Sequence, residues 1–314
     1  MHKYILRRLL LIIPVMLGVS FAVFSMLHII PGDPARALAG GAEAREEDVE
    51  AIRDALGLND PFIVQYGRWI TNFVVHQDLG TSFQSGRDVT EEITSRFPAT
   101  LQLAGASVLV AVLIGVPVGI ISATKQYSIF DNVAMFITLL GVAMPGFWQG
   151  TLLILLFSIN LGWLPSSGLR GGTYNFIDLI LPAVTLGTGS AAFIARMTRS
   201  SMLEVVRQDY IKTARAKGQT ERLVINRHAL KNALIPIVTV VGLAFAGLLG
   251  GAIIAEQVFA IPGLGTLLIR SINERDFQVV QGGILYIALV FSLVNLAVDI
   301  LYAFLDPRIK SQYK

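Results

Sequence analysis

Two carboxylates, Glu256 and Asp299, interrupt stretches of this sequence that are otherwise strongly apolar. A membrane-embedded acid that faces lipid costs about 3 kcal/mol, so each is expected to face a cavity or a partner helix. Two roles fit such groups: a proton relay, or a buried, hydrogen-bonded carboxylate with a structural job. Elsewhere the means for bond chemistry are sparse. The absence of cysteine excludes disulfides, thiolate nucleophiles and thiolate metal sites. The four histidines, His2, His28, His76 and His228, are scattered without ligand spacing, so no metal site is expected. Phosphate-binding loops, His-Glu-x-x-His and Gly-x-Ser-x-Gly patterns are missing. The chain has no apparent means of hydrolysing ATP, and a membrane-embedded enzyme is disfavoured.

The second concentration of polar groups is basic, with nine Lys and Arg between Arg196 and Lys231. Residues 207–217 contain alanines and long side chains, with no proline or internal glycine, which favours helix. Gly218 is placed to stop that helix, and Thr220 to cap a second short one running toward His228. The product is a helix–glycine–helix elbow. Val206, Tyr210, Ile211 and Ala214 are expected to share one face opposite the basic residues. The small Ala214 and Ala216 would admit close approach by another protein. An amphipathic segment resting on anionic headgroups has the same composition, and composition alone favours that reading.

The elements that must position these groups follow from hydropathy. The chain is 54% hydrophobic and 15% charged, with mean hydropathy +0.63. Soluble domains carry about 25% charged residues. Crossing a hydrocarbon core takes about 20 apolar residues as helix. Six runs qualify, near 9–30, 99–123, 132–159, 176–195, 234–259 and 282–305. Their continuous apolarity points to helices, since barrel strands alternate. The first run follows Lys3, Arg7 and Arg8 as a signal peptide would, but it is too long for one and lacks a small-x-small cleavage site. It reads as a retained helix. With six spans both termini share a side with Lys125 and the basic block, while the short opposite loops carry only Arg170, Arg270 and Arg275. The positive-inside rule places that basic side in the cytoplasm. The net charge of +3 is then mostly topology and gives no argument for nucleic acid.

The expected fold is all-α: an N-terminal tail and first span (1–30), an extracytoplasmic helical insertion (31–98), a core of five spans (99–305) carrying the elbow (207–232), and a cytoplasmic tail (306–314). Pro31-Gly32-Asp33-Pro34 should end the first span abruptly. In the insertion, Asn59-Asp60-Pro61 reads as an N-cap before a helix on which Phe62, Tyr66, Trp69, Ile70 and Phe73 share a face. A shorter helix is expected over 46–56, with Val49, Ile52 and Leu56 on one side. The insertion fits an outer platform touching a delivery partner and a loop packed for stability equally well. Met144-Pro145-Gly146-Phe147-Trp148 marks a bend inside the third span, lining a pathway or only kinking the helix. The Pro-Gly and repeated glycines of residues 256–265 force turns among apolar neighbours, as in a re-entrant or gate-capping loop.

The run Tyr210-Ile211-Lys212-Thr213-Ala214-Arg215-Ala216-Lys217-Gly218, followed by His228-Ala229-Leu230-Lys231-Asn232-Ala233, resembles the EAA loop of ABC importer permeases, and more narrowly their dipeptide/oligopeptide/nickel branch. The generic loop reads Glu-Ala-Ala-x-x-x-Gly. Lys212 and Thr213 replace its Glu and first Ala, the form usual in the peptide branch, while Ala214 and Gly218 match. Ile30 to Pro34, Asp78-Leu79-Gly80-Thr81-Ser82, Arg196 to Met202, Glu256 to Gly265 and Asp306-Pro307-Arg308-Ile309 also resemble that family, in the right order along nearly the whole chain.

The resemblance implies a type I importer permease fold in the cytoplasmic (inner) membrane of a bacterium or archaeon. It implies a second homologous permease, two cytoplasmic ATPase subunits that bind ATP and Mg, and an extracytoplasmic substrate-binding protein; this chain itself holds no cofactor. Asp209, Tyr210, Lys212, Thr213, Ala214, Arg215, Ala216, Lys217, Gly218 and His228 would then form the ATPase-coupling elbow. Glu256, Phe259, Pro262, Gly263 and Gly265 would form a gate loop at the outer mouth, with Met144, Pro145, Phe147, Trp148 and Asp299 as pathway candidates. Di- or oligopeptides are the expected cargo, with glutathione, nickel chelates or another small solute as alternatives. A stand-alone proton-coupled secondary transporter is the competing class, though the broken, symmetry-related helices usual there are not evident.

Overall fold

Helix dominates the fold because backbone polar groups in hydrocarbon must be satisfied within the segment itself. The computed structural model describes residues 2–29, 35–36, 39, 43–55, 57–167 and 175–305. The expected break at Ile30 to Pro34, the helix residue Leu56, the loop residue Arg170 and the ending Asp306 to Ile309 lie outside the described residues. In chain order the helices are α1 (His2–Ile29), α2 (Glu46–Ala55), α3 (Phe62–Thr71), α4 (Val89–Thr124), α5 (Ile129–Ala143), α6 (Gly146–Leu153), α7 (Phe176–Val206), α8 (Asp209–Ala216), α9 (Leu230–Gly251), α10 (Ile253–Val258), α11 (Leu264–Asn273) and α12 (Phe277–Leu305). Among the described residues five helices are long and apolar enough to cross a membrane, or six if a bent pair counts as one span.

That pair corrects the third expected span. Residues 132–159 are not one helix: α5 ends at Met144-Pro145, and α6 with its π-helical continuation Ile154–Asn160 leaves at 102°. Both junction residues are extended, Met144 at ψ 124° and Pro145 at ψ 130°. Proline restricts the residue before it to such conformations. The fifth span starts and ends earlier than the 234–259 run: it covers Glu221–Gly250, and α10 begins after Ala252 at ψ −3°.

The chain divides into two compact units. In the unit containing residues 97–266, α7 is the central element, with Leu181, Ala191, Ala192, Ile194, Ala195 and Met202 among its buried residues. Its close neighbour is α4, which brings Gly115 and Gly119 over it. A Cβ at either would lie 2.7 Å and 2.6 Å from the carbonyl oxygens of Ala191 and Ala195. Gly187 returns the arrangement, its would-be Cβ 2.7 Å from the Ser107 oxygen. Gly115 and Gly119 are four apart, the small-xxx-small spacing that lets membrane helices touch backbone to backbone.

In the unit containing residues 9–96 and 267–289, α3 packs on α1 through rings. Phe24 meets Phe62 and Tyr66 edge to face and Trp69 at a tilt, with centroid distances of 5.3, 5.6 and 5.7 Å. Ser20 Oγ hydrogen-bonds Tyr66 Oη at 2.9 Å. The helix starts one residue later than the Asn59-Asp60 cap predicts: Pro61 holds the N-cap position without a side-chain bond, and Asp60 instead pairs with Arg68. In the same unit Asp276, 2% exposed, accepts from Ser82 Oγ at 2.5 Å and from the Phe83 N–H at 3.3 Å. These bonds fix the segment after Asp78-Leu79-Gly80.

Candidate functional site

The elbow forms as a capped helix, a glycine and a second turn. α8 closes with Gly218 at φ +74°, a left-handed conformation that a side chain would strain. The Gln219 N–H donates to Ala214 O and the Gly218 N–H to Arg215 O, which satisfies two terminal carbonyls in a Schellman arrangement. A single helical turn, Glu221–Leu223, and a π-helical turn, Val224–Ala229, lead into α9. Thr220 occupies the expected cap position, but its side chain makes no capping bond.

What holds the elbow is apolar. Ile211, Val224 and Ala229 are fully buried, together with Ala214, Ile225, Met202 of α7, Ala123 of α4 and Ala233 and Ile237 of α9. Two expectations need correction. Tyr210 is not part of this cluster: it is 43% exposed, and its hydroxyl accepts from Asn232 Nδ2 at 2.9 Å. Successive helix residues point about 100° apart, so Ile211 takes the inward position and Tyr210 the flank. Ala214 is covered by its own chain, which leaves Ala216 as the exposed small residue.

The outward face carries Asp209, Lys212, Thr213, Arg215, Ala216, Lys217 and Gly218. Lys212 donates to Asp209 at 2.8 Å and holds that carboxyl below the usual carboxylate range. Arg215 donates twice to Glu221, at 3.0 and 2.6 Å, and bridges the two arms. A Cβ at Gly218 meets no atom within 4 Å, so the joint is open on its outer side. His228 is half-buried, and its carbonyl accepts from Asn232 Nδ2.

A latch lies behind the elbow. Asp131, 1% exposed at the start of α5, accepts from Arg199 Nε and Nη2 at 2.7 Å each and from the Tyr127 N–H at 3.0 Å. Ser128 caps α5 by accepting from the Asp131 N–H. Planar guanidinium–carboxylate forks are among the strongest protein hydrogen bonds, and this one ties α5 to α7.

At the other end of the unit Glu256 is fully buried. The Leu264 N–H donates to Thr100 Oγ1 at 2.8 Å, so the single Thr100 hydroxyl proton goes to Glu256 Oε1 at 2.6 Å. The Thr266 N–H donates to Oε2 at 2.8 Å. Gly263 and Gly265 pack directly on this carboxylate, where a side chain would collide. Phe259, 1% exposed, packs against Gly150, and Pro262 is half-buried. The loop is folded around its own acid.

The pathway candidates separate. Met144 lines an open cavity of about 750 Å³ between α4, α5 and α7, whose polar groups are Thr138, Gln149 and Thr188. Gln149 Nε2 donates to Thr188 Oγ1 at 2.6 Å. Phe147 and Trp148, beyond Pro145, are about half exposed and do not line it. Asp299 pairs with Arg8 at 3.0 Å. Neither it nor Glu256 lines this cavity.

Comparisons with known proteins decide the family. Residues 115–311 match the family described as binding-protein-dependent transport system inner membrane component, and residues 1–104 match its N-terminal companion. The chain belongs to this permease family. It is 46% identical over 99% of its length to the dipeptide transport system permease protein DppB of Alkalihalophilus pseudofirmus, covering all of that protein. It is also 46% identical to the glutathione transport system permease protein GsiC of Salmonella paratyphi A, with 99% of each chain covered. An inward-facing structure of the MetNI methionine ABC transporter superposes with TM-score 0.57 over 68% of this chain and 95% of that one, at 21% identity. That likeness extends to fold alone, the type I permease fold.

Seen as a permease, the chain has two features that sequence reasoning missed. The Asp131–Arg199 latch joins residues 68 apart, and Arg199 stood out only within a run of family-like residues. The Gly115/Gly119 pair did carry a readable signal in its four-residue spacing within an apolar run.

Proposed function

We propose that this permease forms the translocation pathway for short peptides together with a second homologous permease, and that two cytoplasmic ATPases, binding ATP and Mg, drive it through the elbow. An extracytoplasmic binding protein delivers the cargo, and the chain resides in the inner membrane. One observation carries the reading: α8 is clamped on its inner side into a cluster shared with α4, α7 and α9, while its outer side is charged and open. A push on such a surface reaches three membrane helices without first deforming the joint. A lipid-resting helix would present an apolar face to the bilayer, and the apolar side chains of α8 point into the protein instead.

The cargo reading rests on the dipeptide and glutathione permeases among the relatives. Dipeptides come first, and glutathione, itself a tripeptide, second; titrating the cognate binding protein with each separates them. The coupling reading is tested at Gly218. Gly218→Trp adds bulk where the chain itself leaves space, and Gly218→Ala adds the same backbone strain without the bulk. In proteoliposomes holding the whole complex, Gly218→Trp should abolish ATP-driven uptake with membrane insertion intact, while Gly218→Ala keeps most of it. Unchanged uptake by the Trp variant contradicts the reading.

A further inference from the structure

Two arginines one turn apart on α7 have opposite surroundings. Arg199 is neutralised by the Asp131 fork. Arg196 makes no ion pair with any described residue. Its guanidinium carbon lies 5.8 Å from the ring centroid of Phe193, a contact that orients the cation without cancelling its charge. Both sit in a helix long and apolar enough to span the membrane. Arg196 falls one residue past the apolar run 176–195, and its side chain is exposed.

Arg196 does line a cavity. It is an open space of about 410 Å³ between α5, α7 and α9, walled by Val142, Gly189, Ser190, Leu243 and Ala244 among others. No acid lines it, so Arg196 is its one fixed charge among the described residues. The small Gly189, Ser190 and Ala244 leave room beside the guanidinium, and a Cβ at Gly189 would meet no atom within 4 Å. The cavity is therefore apolar-walled and singly positive, and its charge is a planar fork that matches a carboxylate with two hydrogen bonds. A free peptide brings such a group at its C-terminus.

We infer that Arg196 is a specificity-determining residue of the translocation pathway that engages the carboxylate of the passing cargo. The inference rests on the peptide-permease reading above. A lipid phosphate offers the same oxyanion chemistry, but it cannot follow a peptide through the cavity, and that difference is testable.

The complete complex, with ATPases, second permease and loaded binding protein, is reconstituted into liposomes with and without anionic lipid. Uptake of labelled dialanine and ATP hydrolysis are measured together. If the wild type imports nothing although its binding protein holds dialanine, the permease reading itself falls. If the wild type imports, Arg196→Gln should lower uptake per ATP hydrolysed about tenfold in both lipid mixtures. Arg196→Lys, which keeps the charge and loses the fork, should lower it several-fold with assembly intact, and it carries the test should the Gln variant not assemble. Wild-type coupling in Arg196→Lys and in any assembled Arg196→Gln overturns the inference. A deficit confined to anionic liposomes also overturns it and assigns Arg196 to lipid headgroups.

Discussion

The elbow at α8 and the loop around Glu256 both turn the chain on glycine, and they use it in opposite ways. Gly218 supplies a backbone angle: its φ is +74° and the space around it is empty. Gly263 and Gly265 supply closeness, since any side chain there would strike the Glu256 carboxylate or Ile253. The elbow spends its apolar residues inward and keeps its charges in water. The loop consumes its one acid internally, through Thr100 and Thr266. An open charged surface and a sealed knot thus come from similar residue types, and what separates them is whether the paired charges face water or lie buried.

Substitutions should break this contrast in graded order. Glu256→Ala leaves the Thr100 hydroxyl and Thr266 N–H buried without an acceptor, and each unsatisfied buried donor costs about 2 kcal/mol. Its thermal midpoint in detergent should fall furthest, and Glu256→Gln, which keeps the shape, should fall less. Equal midpoints for both variants and the wild type would mean that the loop is not held by this acid. Ile211→Ala removes a fully buried anchor of the elbow, worth about 3 kcal/mol. It should lower uptake even where the protein still assembles, because the lever loosens. Gly218→Ala costs about 1 kcal/mol from backbone strain alone, read as a small shift in the same melt. Asp209→Asn comes last. The carboxyl is fully exposed, and its lowered pKa means that the Lys212 pair stabilises only above the ordinary carboxylate range and is lost as pH falls through the lowered value. Water screens the pair, so the midpoint at neutral pH should not move.

Much of this contrast could be read from residues alone, for physical reasons. Span number and the elbow followed from apolar run length and from Gly218 after an alanine-rich basic segment. Glu256 was recognisable as an acid that must find partners. Which partners was not, because Thr100 lies 156 residues away. The same distance problem hid Asp131 behind Arg199. The turn at Met144-Pro145 was readable as a bend but not as a 102° break, since proline fixes only local dihedrals and packing sets the rest. Tyr210 was placed on the wrong face because Tyr and Ile, adjacent and both apolar in outline, compete for one inward position. The hydroxyl sends Tyr210 to the edge.

The central claim is that the outer face of the elbow receives the ATPase. Because the sequence has no cysteine, one introduced by Ala216→Cys is the single maleimide target on this chain, on an exposed surface, and its label is read on this chain's band. Its labelling rate would be measured in the permease pair alone and after the ATPase subunits are added, with Ser85→Cys as the control in the loop after Gly80. Strong protection of position 216 on ATPase assembly, with position 85 unchanged, is the predicted result. Equal labelling of position 216 with and without the ATPases, in a complex shown to be assembled, contradicts the account.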